Sequence, residues 1–182
     1  RRYVQKFRCE DNFVLLDFFC HGVPSMLMWR KYVAWASEQV GKLTYVSWRN
    51  KPTGWHDSYN LLIKGKETFL SSKLSQGDMF YRLFLGDSCL GKACYGHCKF
   101  KYANSSADIR IGDLWGDTYK GDEDGVSAVV AFTEKGDAVL HQCNCTIVEH
   151  PFEVVAEGQM KTCPDIPPYA KDIWEVLRDE SA

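Results

Sequence analysis

The chain has 182 residues, of which 45% are hydrophobic and 25% charged, and its formal net charge is −2. This length is enough for one domain with its own hydrophobic core, so the cysteines are not needed to hold a small fold together. The near-neutral charge excludes a general nucleic-acid binder, and no apolar run reaches the roughly 18 residues of a membrane-spanning helix.

The first part of the chain predicts a strand, a helix and a second strand. Residues 1–13 are expected to be an irregular lead-in. The run from Val14 to Phe19 is short and mostly apolar, which predicts a buried strand. Ser25 can cap a helix that continues to about Val40, and residues 44–48 alternate as the next strand. This order indicates a βαβ-like unit.

The middle of the chain predicts a loop, a strand and a short helix. Residues 51–57 are expected to be a loop because they include Pro52 and Gly54. Ser58 to Ile63 is predicted as a strand, and Asp78 to Leu85 as a short helix.

The second half of the chain predicts further strands and helices. The strands are expected at Ile109–Ile111, Val126–Phe132 and Thr146–Val148. The helices are expected at Glu134–Gln142, from Pro151, and after Pro167-Pro168 as far as about Arg178. Together these elements predict an α/β protein, with a mixed α+β arrangement as the alternative. We expect a single domain of βαβ-type units around a central sheet.

Eight cysteines are the most informative residues for function, and three of them fall within ten residues, at Cys89, Cys94 and Cys98. Without an export signal the expected compartment is the reducing cytosol, where clustered cysteines more often bind metal or carry out redox chemistry. Three interpretations stay open from spacing alone: a zinc or iron–sulfur site, a disulfide or redox pair, and small packed side chains. Cys20, at the end of a predicted strand, is the natural fourth candidate ligand.

A second group of two cysteines, Cys143 and Cys145, forms a C-x-C pair at a predicted helix–strand junction. Side chains two apart on a strand share a face, so the pair could hold a metal, although packing is the favoured interpretation. His21 is the one histidine in a chemically suggestive context, where a structural role competes with catalysis.

Five motifs occur together in one order along the chain. They are CHGVPS (20–25), VSWRNKPTGW (46–55), CYGHCKF (94–100), SADIRIGDLWG (106–116) and DGVSAVVAFTEKG (124–136). In this combination the chain resembles the C-terminal domain of the coenzyme F-420 hydrogenase/dehydrogenase beta-subunit family. Full-length relatives carry a ferredoxin-like module and a TPCQ-type motif before this region. We therefore expect the chain to be a fragment of a longer protein and to be inactive alone.

The resemblance implies an electron-transferring subunit of a cytoplasmic oxidoreductase. Such subunits move electrons between a 4Fe–4S cluster, FAD and a deazaflavin such as coenzyme F-420. The implied partners are an upstream ferredoxin-like module or electron-donor subunit and a small redox cofactor. The resemblance assigns the cluster to Cys20, Cys94 and Cys98, with Cys89 as the candidate fourth thiolate.

The resemblance also implies a flavin, either FAD or FMN. Its candidate contacts lie at glycine-rich turns: His21, Gly22, Gly112, Asp113, Trp115 and Gly116. Two departures from the family pattern concern the cluster. The TPCQ cysteine is missing, and the pair Cys94 and Cys98 is spaced C-x3-C, through His97, instead of C-x2-C. We therefore expect the cluster to be absent or incomplete in this chain.

Two alternative functions remain at this point. One is a non-catalytic binding or scaffold domain whose thiols hold zinc or nothing. The other is an accessory protein of bacterial surface polysaccharide synthesis.

Overall fold

The structure is a computed structural model that describes residues 1–51, 54–56, 59–65, 69–73, 77–96, 98–158 and 162–179. The chain folds as two compact units. Unit 1 comprises Arg1–His21 and His97–Cys163, and unit 2 comprises Gly22–Gly96 and Pro164–Ala182. The chain therefore passes from one unit to the other after His21, after Gly96 and after Cys163.

Helices and strands alternate irregularly along the described residues. The helices are α1 (Arg2–Lys6), α2 (Met26–Val40), α3 (Met79–Leu85), α4 (Glu134–His141), α5 (Phe152–Val155) and α6 (Ala170–Arg178). The strands are β1 (Leu16–Phe18), β2 (Tyr45–Asn50), β3 (Tyr59–Lys64), β4 (Phe69–Lys73), β5 (Ile109–Asp113) and β6 (Ser127–Ala131). None of the helices in the described part of the chain combines the length and apolar character needed to cross a bilayer.

Unit 1 contains a mixed sheet with strand order β1-β5-β6. β1 runs parallel to β5, with Leu16 opposite Ile109, and β6 runs antiparallel to β5. The prediction that the strand at 14–19 is buried is wrong, because Leu16 and Phe18 are 61% and 67% exposed. The physical reason is position: β1 is an edge strand, whereas central β5 buries Ile109.

Asp108 is a buried charge of unit 1, with a relative exposure of 1%. Its carboxylate accepts hydrogen bonds from the Leu15 N–H at 2.9 Å and the Thr133 hydroxyl at 2.9 Å. Arg1 donates to it at 2.8 Å, and the ammonium of Lys135 lies 3.6 Å away. Burial alone would raise the pKa of Asp108, but these hydrogen bonds and the Arg1 charge lower it to about 2. One carboxylate thus joins the segments before β1 and β5 to the start of α4.

Arg110, on β5, is a second buried charge, with a relative exposure of 2%. Its guanidinium donates to both carboxylate oxygens of Asp17 at 2.8 Å. The remaining donors reach the carbonyl oxygens of Tyr102, at 2.7 Å, and Asn104, at 2.9 Å. A bidentate charge-assisted pair of this kind is directional, so Arg110 fixes both the β1–β5 pairing and the loop after Cys98.

Unit 2 contains an antiparallel sheet with strand order β2-β3-β4 and three helices. The hydroxyl of Ser25 caps α2 by accepting from the Leu27 and Met28 N–H groups at 3.1 and 3.4 Å. The helix ends at Gly41, whose φ of +76° lies in the left-handed region that glycine adopts without strain. α2 buries one face at four-residue spacing: Met28, Tyr32, Ala36 and Val40.

Aromatic rings fill the interior of unit 2. The ring of Phe80 lies 4.9 Å from that of Trp48 and 5.5 Å from those of Trp29 and Tyr32. Asp78 accepts the Tyr32 hydroxyl at 2.7 Å and the Tyr81 N–H at 3.1 Å, so it also caps α3. The ring contacts of Phe80 are tilted or edge-on, which are arrangements that aromatic rings favour.

The predicted fold class is confirmed: the chain is a mixed α/β protein. The pairing within the predicted βαβ-like unit is different, because β1 and β2 belong to separate sheets and the parallel partner of β1 is β5. The single-domain organisation over 1–182 stays a prediction.

Three local predictions are corrected. Residues 1–13 are not all irregular, since they contain α1 and a 3-10 turn at Glu10–Asn12. Residues 146–148 form no strand: Ile147 and Val148 are exposed and lack a pairing partner strand among the described residues. β4 was not predicted. The loop and strand predictions at Pro52, Asp57 and Ser58 lie outside the described residues.

Candidate functional site

The predicted site residues of unit 1 lie at one edge of its sheet. Cys20 and His21 follow β1, and Gly112 and Asp113 end β5. Because β1 and β5 are parallel, their carboxyl ends meet at the same edge, which is where sheets of this kind place ligands. The N–H of Phe19 donates to the Ile111 carbonyl at 3.0 Å, which continues the pairing up to Cys20.

Lys101 is a functional candidate that sequence reasoning missed. Its side chain is almost fully buried, at 8% exposed, and its ammonium donates to the carbonyl oxygens of Cys20 and His21, the latter at 2.8 Å. A buried ammonium needs such acceptors because desolvation is costly. Lys101 therefore holds the turn after β1 and places a positive charge there, while the Cys20 side chain stays exposed.

Cys98 lies in unit 1, after the segment that unit 2 contributes. It is half-buried, and its carbonyl oxygen accepts a weak hydrogen bond from the Cys163 thiol at 3.4 Å. Unit 1 thus carries two of the predicted ligands, Cys20 and Cys98. His97 lies outside the described residues.

The glycines predicted to contact a flavin in unit 1 lie against other parts of the chain. A Cβ atom on Gly112 would lie 3.0 Å from the Phe19 ring, and one on Gly116 would lie 2.5 Å from the Glu157 carboxylate. Trp115, between them, packs against the backbone of Gly158 and remains half-exposed. A side chain at either glycine would displace these neighbours, so the close packing favours glycine at both positions. The flavin role of Gly112, Asp113, Trp115 and Gly116 stays a prediction.

The CHGVPS motif and the cysteine loop pair with each other in unit 2. Gly91 donates to the Val23 carbonyl at 2.9 Å, and Ser25 donates to the Cys89 carbonyl at 2.8 Å. Gly22 allows this approach, since a Cβ atom there would lie 2.8 Å from the Leu90 side chain. Backbone hydrogen bonds therefore join the CHGVPS motif to residues 89–91, just before the CYGHCKF motif. The flavin role of Gly22 stays a prediction.

In unit 2 the thiol of Cys94 is positioned by a hydrogen bond to its sulfur. Its Sγ accepts a hydrogen bond from the Val23 N–H at 3.4 Å, and the residue is half-buried at the end of a 3-10 turn. Sulfurs that ligate iron are commonly surrounded by hydrogen-bond donors of this kind. The ligand role of Cys94 stays a prediction.

Cys89 has the opposite environment. It is 0% exposed and belongs to the hydrophobic core formed with Tyr32, Phe80 and Tyr81. Burial raises its pKa to about 11, so the thiol is protonated at neutral pH. Only a thiolate binds metal, and this environment therefore disfavours Cys89 as the fourth ligand.

A four-thiolate cluster does not fit within either unit taken by itself. Of the four candidate ligands, unit 1 holds Cys20 and Cys98, and unit 2 holds Cys94 and the protonated Cys89. Within neither unit do the described residues, which exclude His97, include three or more His, Cys, Asp or Glu side chains arranged to hold a metal ion.

A comparison with protein families gives one match, which covers residues 2–151 and therefore includes all five motifs. The matching family is the C terminus of the coenzyme F-420 hydrogenase/dehydrogenase beta subunit. The chain belongs to this family. Its description as part of a beta subunit implies partner subunits for this member. The comparisons with curated proteins and with solved structures found no match.

Proposed function

We propose that this family member is the C-terminal domain of an electron-transferring flavin and iron–sulfur subunit. In the whole protein it would move electrons between a 4Fe–4S cluster, a flavin, with FAD favoured, and a deazaflavin or another acceptor. The hydrogen bond from the Val23 N–H to the Cys94 Sγ carries this proposal, and the family membership supports it.

The argument from Cys94 is chemical. A packed, inert cysteine needs no donor aimed at its sulfur, whereas sulfurs that ligate iron are tuned by N–H donors around them. The donor here belongs to Val23, within the CHGVPS motif, and backbone hydrogen bonds of that motif hold the cysteine loop in place. We therefore assign Cys94 as a ligand and Cys89 as a packing residue.

The argument from Lys101 concerns charge. Its buried ammonium donates hydrogen bonds to the carbonyl oxygens of Cys20 and His21, beside the carboxyl ends of the parallel strands β1 and β5. A cation in this position favours an anionic neighbour, such as a thiolate at Cys20 or a phosphate-bearing cofactor. We propose Cys20 as a ligand on this ground, and Cys98 as a ligand because the family pattern assigns it the same role.

The proposal includes an upstream ferredoxin-like module or an electron-donor subunit as partner, and a location in the reducing cytosol. A ligand from such a module would also complete the thiolate set.

Cofactor content tests the proposal directly. The protein, expressed with any chain that precedes or follows these residues and prepared anaerobically, is expected to be brown. It should contain iron and sulfide in the ratio of a cluster and should release a flavin on heating. A colourless preparation that contains zinc alone would contradict the proposal.

The competing function is a scaffold domain whose thiols hold zinc or remain free. One observation favours the form of it in which the thiols remain free: neither unit by itself arranges three metal-binding side chains among its described residues. Zinc without iron, sulfide or flavin in the same anaerobic preparation would establish this alternative.

A further inference from the structure

Cys143 and Cys145 are two free, exposed thiols that the proposed function does not use. They follow α4, in a stretch of unit 1 where residues 141–149 are all exposed. Cys143 N–H donates to the Leu140 carbonyl at 3.0 Å and so extends the last turn of the helix. The chain then changes direction at Asn144.

The backbone brings the two cysteines close to each other. Cys145 N–H donates to the Cys143 carbonyl at 3.0 Å, a bond from residue i+2 to residue i that closes a γ-turn. Such a turn draws the two Cα atoms to roughly 5.5 Å, compared with roughly 7 Å in a fully extended chain. A disulfide requires Cα atoms about 4.4–6.8 Å apart, so this separation falls inside the permitted range.

One weak contact holds the first thiol. The Sγ of Cys143 donates to the Val139 carbonyl at 3.4 Å. A thiol is a weak donor, so rotation of the side chain away from this carbonyl costs little free energy.

We propose that Cys143 and Cys145 are a modification site that forms a reversible intramolecular disulfide by exchange with a low-molecular-weight disulfide, such as oxidised glutathione. One cysteine, as its thiolate, attacks the glutathione disulfide and releases one glutathione thiolate. The second thiolate then attacks the cysteine sulfur of the mixed disulfide, forms the Cys143–Cys145 bond and releases the second glutathione. Two thiols are oxidised and one disulfide is reduced, with both protons leaving on two glutathione molecules.

Cys163 provides a matched comparison within the same unit. Its thiol also donates to a backbone carbonyl, that of Cys98, at 3.4 Å. No other cysteine lies within two residues of it in the sequence. Cys143 and Cys145 therefore differ from Cys163 in the γ-turn that brings a second thiol close, and not in the contact of the thiol with a carbonyl. We expect this pair, and not Cys163, to form a disulfide within one tryptic peptide.

Peptide masses test the proposal. The reduced protein is incubated with oxidised glutathione, remaining thiols are blocked with N-ethylmaleimide, and the chain is digested with trypsin. The tryptic peptide 136–161 contains Cys143 and Cys145 and no other cysteine, and the peptide 162–171 contains Cys163 alone. We expect peptide 136–161 to lose about 2 Da as the disulfide forms, and peptide 162–171 to carry either the blocking group or one glutathione.

The variants Cys143→Ser and Cys145→Ser serve as controls. Each should convert the loss of about 2 Da in peptide 136–161 into a gain of about 305 Da, the mass of one bound glutathione. A wild-type peptide that carries two glutathiones or two blocking groups, without any loss of mass, would overturn the proposal. The readout does not depend on iron or flavin, so it is independent of the proposed function.

Discussion

The two units have interiors of different chemical kinds. Unit 1 buries the charged side chains of Lys101, Asp108 and Arg110, while apolar Leu16 and Phe18 on its edge strand stay exposed. Unit 2 instead buries mainly aromatic and aliphatic side chains, in one cluster around α2 and α3, and Asp78 is the one charged side chain among its buried described residues.

The difference shows which forces position each part of the candidate site. The turn that carries Cys20 is held by directional hydrogen bonds from buried charges, such as that of Lys101. Cys94 lies instead on the loop that follows Cys89, and Cys89 packs in the apolar core. Hydrogen bonds to charged groups depend on protonation, whereas apolar burial does not. We therefore expect the stability of unit 1 to depend on pH, and the stability of unit 2 to fall when a substitution removes side-chain volume from its core.

The largest effect is expected from Phe80→Ala in unit 2. Phe80 is buried and contacts five aromatic rings, so its removal leaves a cavity and should lower the free energy of unfolding by about 3–5 kcal/mol. Chemical denaturation followed by tryptophan fluorescence measures this loss. Met79→Ala, at the exposed neighbouring position, is the matched control and should change little. A loss below about 1 kcal/mol for Phe80→Ala would contradict the apolar account of unit 2.

A smaller effect, with a pH dependence, is expected from Asp108→Asn in unit 1. The pKa of Asp108 is lowered to about 2 in the folded protein, so its ionised form stabilises the fold above its unfolded pKa. This contribution, on the order of 2 kcal/mol, should be lost as the pH falls from about 4 to about 2. Unfolding free energies of wild type and variant should therefore differ at pH 7 and converge near pH 2.

The control for Asp108→Asn is Asp117→Asn, whose side chain is exposed. It should leave the unfolding free energy close to that of wild type at both pH values. A difference between wild type and Asp108→Asn that stays constant from pH 7 to pH 2 would show that the carboxylate charge is not the stabilising feature.

The smallest effect is expected from Tyr32→Phe, which keeps the aromatic packing of unit 2 and removes one hydroxyl. That hydroxyl donates to Asp78 at 2.7 Å, and burial, followed by this hydrogen bond, raises the pKa of Tyr32. Loss of one buried hydrogen bond should lower the free energy of unfolding by about 1 kcal/mol. Tyr3→Phe, at an exposed position, provides the baseline in the same denaturation assay. A loss as large as that of Phe80→Ala would mean that polar contacts dominate this unit too.

The parts of the fold that sequence predicted well are those with local signals. Ser25 and Gly41 mark the two ends of α2, and its buried face repeats at four-residue spacing. The apolar run at 14–19 predicts a strand but not how deeply it is buried, because an edge strand and a central strand can have the same composition. Residues 146–148 have β-forming composition, but a strand also needs a partner, which single-sequence patterns do not identify.

The candidate site was likewise predicted only in part, because sequence motifs locate residues along the chain but not their burial or hydrogen bonds. The family motifs nominate Cys20, Cys94 and Cys98, whose ligand role stays a prediction, and the position of Cys20 just after a strand is confirmed. No sequence signal separated Lys101 from Lys99, because only the folded chain shows which of them reaches the carbonyls after β1. Cys89 and Cys94 likewise differ in burial and hydrogen bonding, and those properties depend on the core of unit 2.

Iron content of two variants in one loop tests the central claim most directly. Cys94→Ser and Cys89→Ala are to be prepared anaerobically beside the wild type, with iron, sulfide and flavin measured per protein. The proposed ligand role predicts that Cys94→Ser loses most of its iron and sulfide, while Cys89→Ala retains the wild-type amounts. Full iron content in Cys94→Ser, or loss of iron in Cys89→Ala alone, would contradict the assignment of Cys94 as the ligand and Cys89 as a packing residue.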